Sequence, residues 1–306
     1  MEKILIVGLD TIAGANLAAT FKDRFTVSGL CLETQVSVAG CSTEADSCDE
    51  PLPVVQRIRP DRIIFCCPSA ETGWDAPQTS DSLRLSKSWA DAATRTKTPL
   101  TVLSSSSVFT GPWMFHDEES TRFCTSPAAR EILAVEREFQ NRTPHSLIVR
   151  THTFGWSPLG DEVGFAATLL NRIRIGEASS IDCVRHATPI LATDLAELLE
   201  QTFSADISGL IHLGGAERVN PHRFATMLAS QFGYSCSVTG TLDPVTDRNS
   251  DFGTGETSLN NRRARNELQL GLPMMEEAIQ RFHEQSLGDF RDQFQHHGRP
   301  TRNLVA

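Results

Sequence analysis

The feature that most constrains this chain is a repeated switch in hydrophobic period. Residues 4–7 are a short run of Ile, Leu and Val, Gly8 ends it, and residues 14–21 then place Leu17, Ala18 and Phe21 on one helical face. A second apolar run covers residues 25–30. Runs without polar alternation read as strands covered on both faces, as parallel strands are. The pattern continues with a short helix at 53–58, a strand at 62–67, a helix at 82–96, a strand at 100–103, a helix at 127–139 and a strand at 147–149. Later come a helix at 190–203, capped near Thr193 or Asp194, a strand at 209–213 and a helix at 221–232. Residues 31–50 are polar and read as a loop.

Strand, glycine turn, helix, strand is the opening of a Rossmann unit. Strands and helices alternating at short intervals predict an α/β protein with a doubly wound parallel sheet. With 306 residues the chain can bury a sizeable core. Its net charge of −10 argues against a nucleic-acid partner. The apolar stretch at the N-terminus is too short for a leader or a membrane span, so a cytoplasmic protein with no membrane partner is expected. Eight cysteines are scattered without a framework and read as reduced thiols. Cys66 and Cys67 lie within an apolar run, which favours core packing over metal binding. With no HxxxH or CxxC spacing among nine histidines and these cysteines, no metal site is expected.

The first βα turn runs from Gly8 to Gly14. A GxxGxxG turn uses its glycines for a tight bend, for backbone approach to a pyrophosphate and for close helix–strand packing. Gly8 and Gly14 hold the outer positions, and Thr11, followed by Ile12, holds the middle one. Two readings stay open: a nucleotide site partly obstructed by a side chain, or a turn kept for folding that no longer binds a cofactor.

Several segments resemble the dTDP-4-dehydrorhamnose reductase family of extended short-chain dehydrogenases. Residues 60–67 resemble its PDxVINCAA strand, with Phe65 in place of Asn, and residues 46–49 its LDITD element. Residues 104–111 resemble STDYVFDG, 150–155 resemble RTxxxYG, and 188–196 resemble PTxxxDLA. Residues 209–213 match GxYHL, and 257–260 resemble the late SLD segment. The resemblance implies a Rossmann domain at 1–155 with a return near 186–215, and a smaller C-terminal substrate domain at 156–185 and 216–284. Residues 285–306 read as a loose polar tail. It also implies that Asp46 lies near an adenine, that Cys66 and Cys67 border the cofactor, and that Ser105 is the catalytic hydroxyl.

The family's reaction needs a tyrosine and a lysine in a YxxxK arrangement on one helix face. The matching residues are Ala128 and Ile132, while Leu133 and Glu136 agree with the family's pattern. No change of register restores the pair, because the single tyrosine is Tyr234 and Lys97 is the last lysine. Losing a positioned general acid costs ~10²–10⁴-fold. The resemblance therefore implies a homologue that binds NAD(P) or a nucleotide sugar and has lost ordinary reductase chemistry. NAD or NADP binding is expected to be weak or absent, with a slight preference for NAD from Glu33 after the second strand. A regulatory or binding role toward a protein partner, or as a homo-oligomer, fits, since one relative is a regulatory subunit of methionine adenosyltransferase. The alternatives are an active reductase with a substitute acid among His116, Glu118 and His152, or redox-neutral chemistry in the same pocket.

Overall fold

In the computed structural model the described residues are 1–44, 46–67, 74, 82–177, 180–235, 239–241, 253 and 255–297. The first half of the chain runs β1 (Lys3–Val7), α1 (Ile12–Phe21), β2 (Thr26–Leu30), β3 (Val36–Val38), β4 (Ser42–Glu44), α2 (Pro51–Ile58), β5 (Arg62–Cys66), α3 (Ser82–Thr96), β6 (Leu100–Ser105), α4 (Pro127–Arg142), β7 (Leu147–Thr151) and β8 (Thr153–Phe154). It continues through α5 (Phe165–Arg174), β9 (Ser180–Asp182), β10 (Ile190–Leu191), α6 (Ala192–Ser204), β11 (Gly209–His212), α7 (Pro221–Gln231), β12 (Thr239–Thr241), α8 (Arg262–Leu268), α9 (Met275–Leu287) and β13 (Phe294–His296).

Seven parallel strands form the central sheet in the order β11-β7-β6-β5-β1-β2-β4. Alternate side chains of each strand enter different cores, as a pleat of period two requires. Ile4, Ile6, Ile64 and Cys66 pack on one face with α1 and α6. Leu5, Val7, Ile63, Phe65 and Cys67 pack on the other with α2, α3 and α4. Both faces are covered, which is why the strands read as unbroken apolar runs. The adjacent Cys66 and Cys67 are buried on opposite faces, the packing role their sequence context suggests.

A third cluster lies beyond β7 and joins Phe154, Trp156, Phe224 and Phe282. Trp156 stacks on Phe282 with ring centres 4.1 Å apart, and its Nε1 donates to the Phe282 carbonyl at 3.2 Å. Asn16 on α1 donates to the Trp156 carbonyl at 2.7 Å, tying this cluster to the sheet's first helix.

Three local expectations are corrected. The stretch read as a loop at 31–50 contains β3 and β4, and β4 extends the sheet beside β2. Its Ser-Thr-Glu sequence pairs through backbone alone and carries no apolar signal. Part of the tail read as loose is ordered: β13 pairs antiparallel with β3, and Phe290 and Phe294 pack against two of the cores. The helix read as starting at Ile190 starts at Ala192 instead. Ile190 and Leu191 form β10 beside β8, and neither Thr193 nor Asp194 caps the helix. Asp194 instead holds Arg281 through two 2.8 Å bonds, and Thr193 accepts from Gln285 at 3.0 Å.

Candidate functional site

The first turn sits at the C-terminal ends of the strands, where doubly wound sheets bind ligands. Gly8 has φ +93°, and a Cβ there would lie 2.5 Å from the Cys66 carbonyl oxygen. A Cβ on Gly14 would lie 2.0 Å from the Gly8 carbonyl oxygen. Both glycines are therefore needed for α1 to approach β1 and β5, whatever else the turn does. Thr11 differs. Its backbone is extended (φ −88°, ψ 158°), a conformation open to any residue. Its hydroxyl donates to the Gly8 carbonyl at 2.7 Å and accepts from the Gly14 amide at 2.9 Å, capping α1. One of the helix's orphan N–H groups, of the kind that binds anions, is thus taken by the chain itself.

Thr11, Ile12, Cys66 and Cys67 come together with Ala13, Leu103, Thr151 and Thr153 around a cavity of ≈ 10 Å³. That is room for about one water. Asp46 lies apart from them and pairs with Arg57 of α2. Asp10 bonds to the loop after β2: its oxygens accept from the amides of Leu32, Glu33 and Thr34 at 2.7, 2.8 and 2.9 Å.

Ala128 and Ile132, the positions that the sequence sets against a YxxxK pair, lie on α4. Ser126 caps this helix by accepting from the Ala129 amide at 3.2 Å. Ala128 is half-buried in the first turn. Ile132 is 2% exposed and belongs to an apolar cluster with Val108, Phe109, Leu133 and Leu259.

The remaining catalytic candidates fall into two groups. In the first, Ser105 is buried and accepts from the Ser107 amide at 3.1 Å, capping a 3₁₀ turn. The next residue, Ser106, bonds to His152 Nδ1 at 3.2 Å. His152 is covered by the edge of Trp74, ring centres 4.7 Å apart. Burial, reinforced by the Arg185 charge, pushes the His152 pKa down to about 3. Its ring is neutral at physiological pH and is not an imidazolium acid.

In the second group, His116 stacks on Phe109 with ring centres 4.4 Å apart. Its Nε2 donates to the Glu256 carbonyl at 3.2 Å and its Nδ1 accepts from Ser120 at 3.0 Å. Burial lowers its pKa. Glu118 accepts from the His212 amide at 3.0 Å, and burial raises its pKa. His212, at the end of β11, donates from Nδ1 to the His116 carbonyl at 3.0 Å. Its pKa is pushed down to about 3, by burial first and then by Arg150.

Between the groups lies a buried ion pair. Arg150 binds Glu136 through two bonds of 2.9 and 2.7 Å, and Ser104 donates to the same carboxylate at 2.5 Å. The guanidinium also stands 4.9 Å from the centre of the Phe109 ring. Sequence reading did not single out this pair, or Asp10, Trp74 and His212. Glu136, Arg150 and His212 lie inside the family-like segments, and a charge ending the apolar run of β7 was the available signal. Asp10 and Trp74 carried none, because their partners are set by folding. Among the described residues, no group of three or more His, Cys, Asp or Glu side chains is placed to hold a metal ion. Among the same residues, no helix is long and apolar enough to cross a membrane.

Residues 2–287 match the family model described as the RmlD substrate binding domain. No curated protein matches the sequence. Among solved structures, the chain is similar to dTDP-4-dehydrorhamnose reductase from Bacillus anthracis in complex with NADP, at 18% identity and a TM-score of 0.76, over 93% of this chain and 99% of that one. It is similar to the Clostridium acetobutylicum orthologue at 17% identity and a TM-score of 0.74, over 94% and 100%. UDP-N-acetylglucosamine 4-epimerase from Bacillus cereus follows at 13% and 0.71, over 94% and 100%. At these identities the likeness concerns the fold.

Proposed function

The chain belongs to the family of the RmlD substrate binding domain, and we propose that it is a nucleotide- or nucleotide-sugar-binding member that has lost nicotinamide-dependent ketosugar reduction. The observation that carries this reading is the helix face of α4. Ala128 has no proton to donate, and Ile132 is sealed among Val108, Phe109, Leu133 and Leu259. Tyr234, the single tyrosine, packs against the third core instead.

The similar Bacillus anthracis structure holds NADP, so the fit of that cofactor here is a fair test. The residues of this chain fit it poorly. Thr11 takes the Gly14 amide, and Asp10 takes the amides after β2. These contacts support the reading that dinucleotide binding is weak or absent. The retained scaffold supports a binding or regulatory role toward a protein partner, in the manner of members of such families that act without turnover.

One feature favours a second reading. Glu118 is half-buried with a raised pKa, the direction a substitute general acid needs, whereas His116 and His152 are shifted toward neutrality. Steady-state assays with NADH and NADPH on a dTDP-4-keto-6-deoxysugar separate the two. The expected rate is at least ~10²-fold below that of a reductase with its acid in place, while calorimetry still detects binding of the nucleotide sugar. Robust turnover that Glu118→Gln abolishes would replace the first reading with the second.

A further inference from the structure

Trp113, Met114 and Phe115 are consecutive and 50%, 58% and 47% exposed. Among the described residues the other exposed large apolar side chains, such as Ile175 and Leu287, are scattered along the chain. Scattered exposure is ordinary, whereas a contiguous apolar patch marks a surface that meets something. The three residues are held in place from both sides. On one side the Thr110 amide donates to the Arg122 carbonyl at 3.1 Å and the Cys124 amide to the Val108 carbonyl at 2.7 Å. On the other, the amides of Phe115 and His116 donate to the hydroxyl and the carbonyl of Ser258, each at 2.9 Å. The tip is thus ordered before any partner arrives, which lowers the entropic cost of binding.

Phe115 has φ +56°. The left-handed region is costly for a bulky L side chain and persists only where the surroundings impose it. Its effect here is to bury His116 against Phe109 while leaving the Phe115 ring half in solvent. The Arg122 guanidinium stands over Trp113, 4.2 Å from its ring centre. Trp, Phe, Met and Arg are the residue types enriched at the centres of protein interfaces. Asp117 and Glu119, exposed just beyond the tip, place acid on the rim.

Charge selects the occupant. Anionic lipid headgroups would be repelled by Asp117 and Glu119. A second copy would bring the same carboxylates and another net charge of −10. A basic protein surface meets no such opposition. We infer that Trp113, Met114 and Phe115 form a docking surface for a protein partner that carries an apolar stripe flanked by lysine or arginine. The inference rests on the reading above that the chain acts on a protein partner, and it gives that reading a surface. It does not involve nucleotide binding, so the nucleotide-sugar calorimetry and the test below fail separately.

The probe is a synthetic amphipathic helix of leucine and lysine. Its controls are the same composition scrambled to remove the apolar stripe, and a leucine–glutamate counterpart. Calorimetry reads affinity and acrylamide quenching reads location. Of the four tryptophans, Trp74, Trp89 and Trp156 are buried, so quenching reports on Trp113. Wild type is expected to bind the leucine–lysine peptide at least ~10-fold more tightly than either control, and binding should shield Trp113. Trp113→Ser/Met114→Ser should weaken binding at least ~10-fold. Asp117→Asn/Glu119→Gln should weaken it ~3-fold and flatten its salt dependence. Phe115→Asn, which suits a left-handed backbone, should weaken it at least ~10-fold and still decides should the double tip variant fail to fold. Circular dichroism confirms the fold of each. The inference is overturned if wild type does not bind the leucine–lysine peptide, if the leucine–glutamate peptide binds equally well, or if Trp113 stays as accessible as before. It is also overturned if a folded tip variant binds as wild type does. Vesicles of phosphatidylcholine and phosphatidylserine that shield Trp113, or a wild-type dimer that the double tip variant dissolves, would overturn it by giving the patch to a lipid surface or to a second copy.

Discussion

His152 and His212 each leave Nε2 without a hydrogen-bond partner in a buried setting, and each has its pKa pushed down to about 3. The unfolded chain titrates histidine near ~6.5. Between these values the unfolded state binds more protons, so their contribution is complete above about pH 6.5 and is lost as pH falls toward 3. Each buried histidine steepens the loss by up to ~1.4 kcal/mol per pH unit. Glu118 and Asp194, with raised pKa values, act in the opposite direction. The melting temperature is therefore expected to fall between pH 6.5 and 4. A His152→Gln/His212→Gln variant should show a shallower fall, though from a lower value at pH 7. An unchanged slope in that variant would mean that other groups control acid stability. Thr11 gives the second lesson at this scale. A β-branched residue in a glycine position suggested bulk in the ligand's path, yet its hydroxyl turns back and caps the helix.

Helix α4 joins a buried ion pair to an apolar face. Glu136 carries the buried pair with Arg150, side chains 3% and 4% exposed. Removing one partner of such a pair leaves an uncompensated charge, so either substitution alone is strongly destabilising. Ile132 was legible as an apolar residue of its helix and as a departure from a motif; its partners in the apolar cluster were not. Ile132→Lys is therefore expected to cost at least about 3 kcal/mol, because it places an ammonium among Val108, Phe109 and Leu259. Denaturant unfolding measures this. The double variant Ala128→Tyr/Ile132→Lys should consequently be unstable rather than a recovered reductase. Wild-type stability in Ile132→Lys would mean that the position opens readily to solvent and that the catalytic pair is easily rebuilt.

At the scale of the whole molecule, the segment after α9 returns to β3, outside the seven-stranded sheet. Its strand β13 pairs with β3, the Gln293 carbonyl accepts from Ala39 at 2.9 Å, and the Gln293 side chain accepts from Lys22 at 2.8 Å. Phe290 and Phe294 pack against both the α1–α6 core and the third cluster. Arg291 adds a cation–π contact with Trp156, 4.3 Å from its ring centre. A chain ending at Leu287 loses all of these contacts. Its melting temperature is expected to drop by about 3 °C, since partial burial of two phenylalanines contributes roughly 2 kcal/mol. Scanning calorimetry of the truncated chain reads this directly, and an unaltered transition would show that the return strand contributes nothing to stability.

The order of the main strands and helices was legible in the sequence because the central strands are covered on both faces and most of the helices on one. Burial of that kind must be written as local apolar runs and stripes. Gly8 and Gly14 were legible for a related reason: close helix–strand approach excludes a Cβ, so the residue type records the geometry. The loss of the Tyr and Lys pair followed from composition alone. What the tertiary structure decided are pairings between groups distant in sequence. Glu136 meets Arg150, Asp10 meets the amides of Leu32 to Thr34, His212 meets His116, and β13 meets β3. Hydrogen bonds and ion pairs have no period along the chain. Polar partners are chosen only when the apolar elements have packed and left particular donors beside particular acceptors.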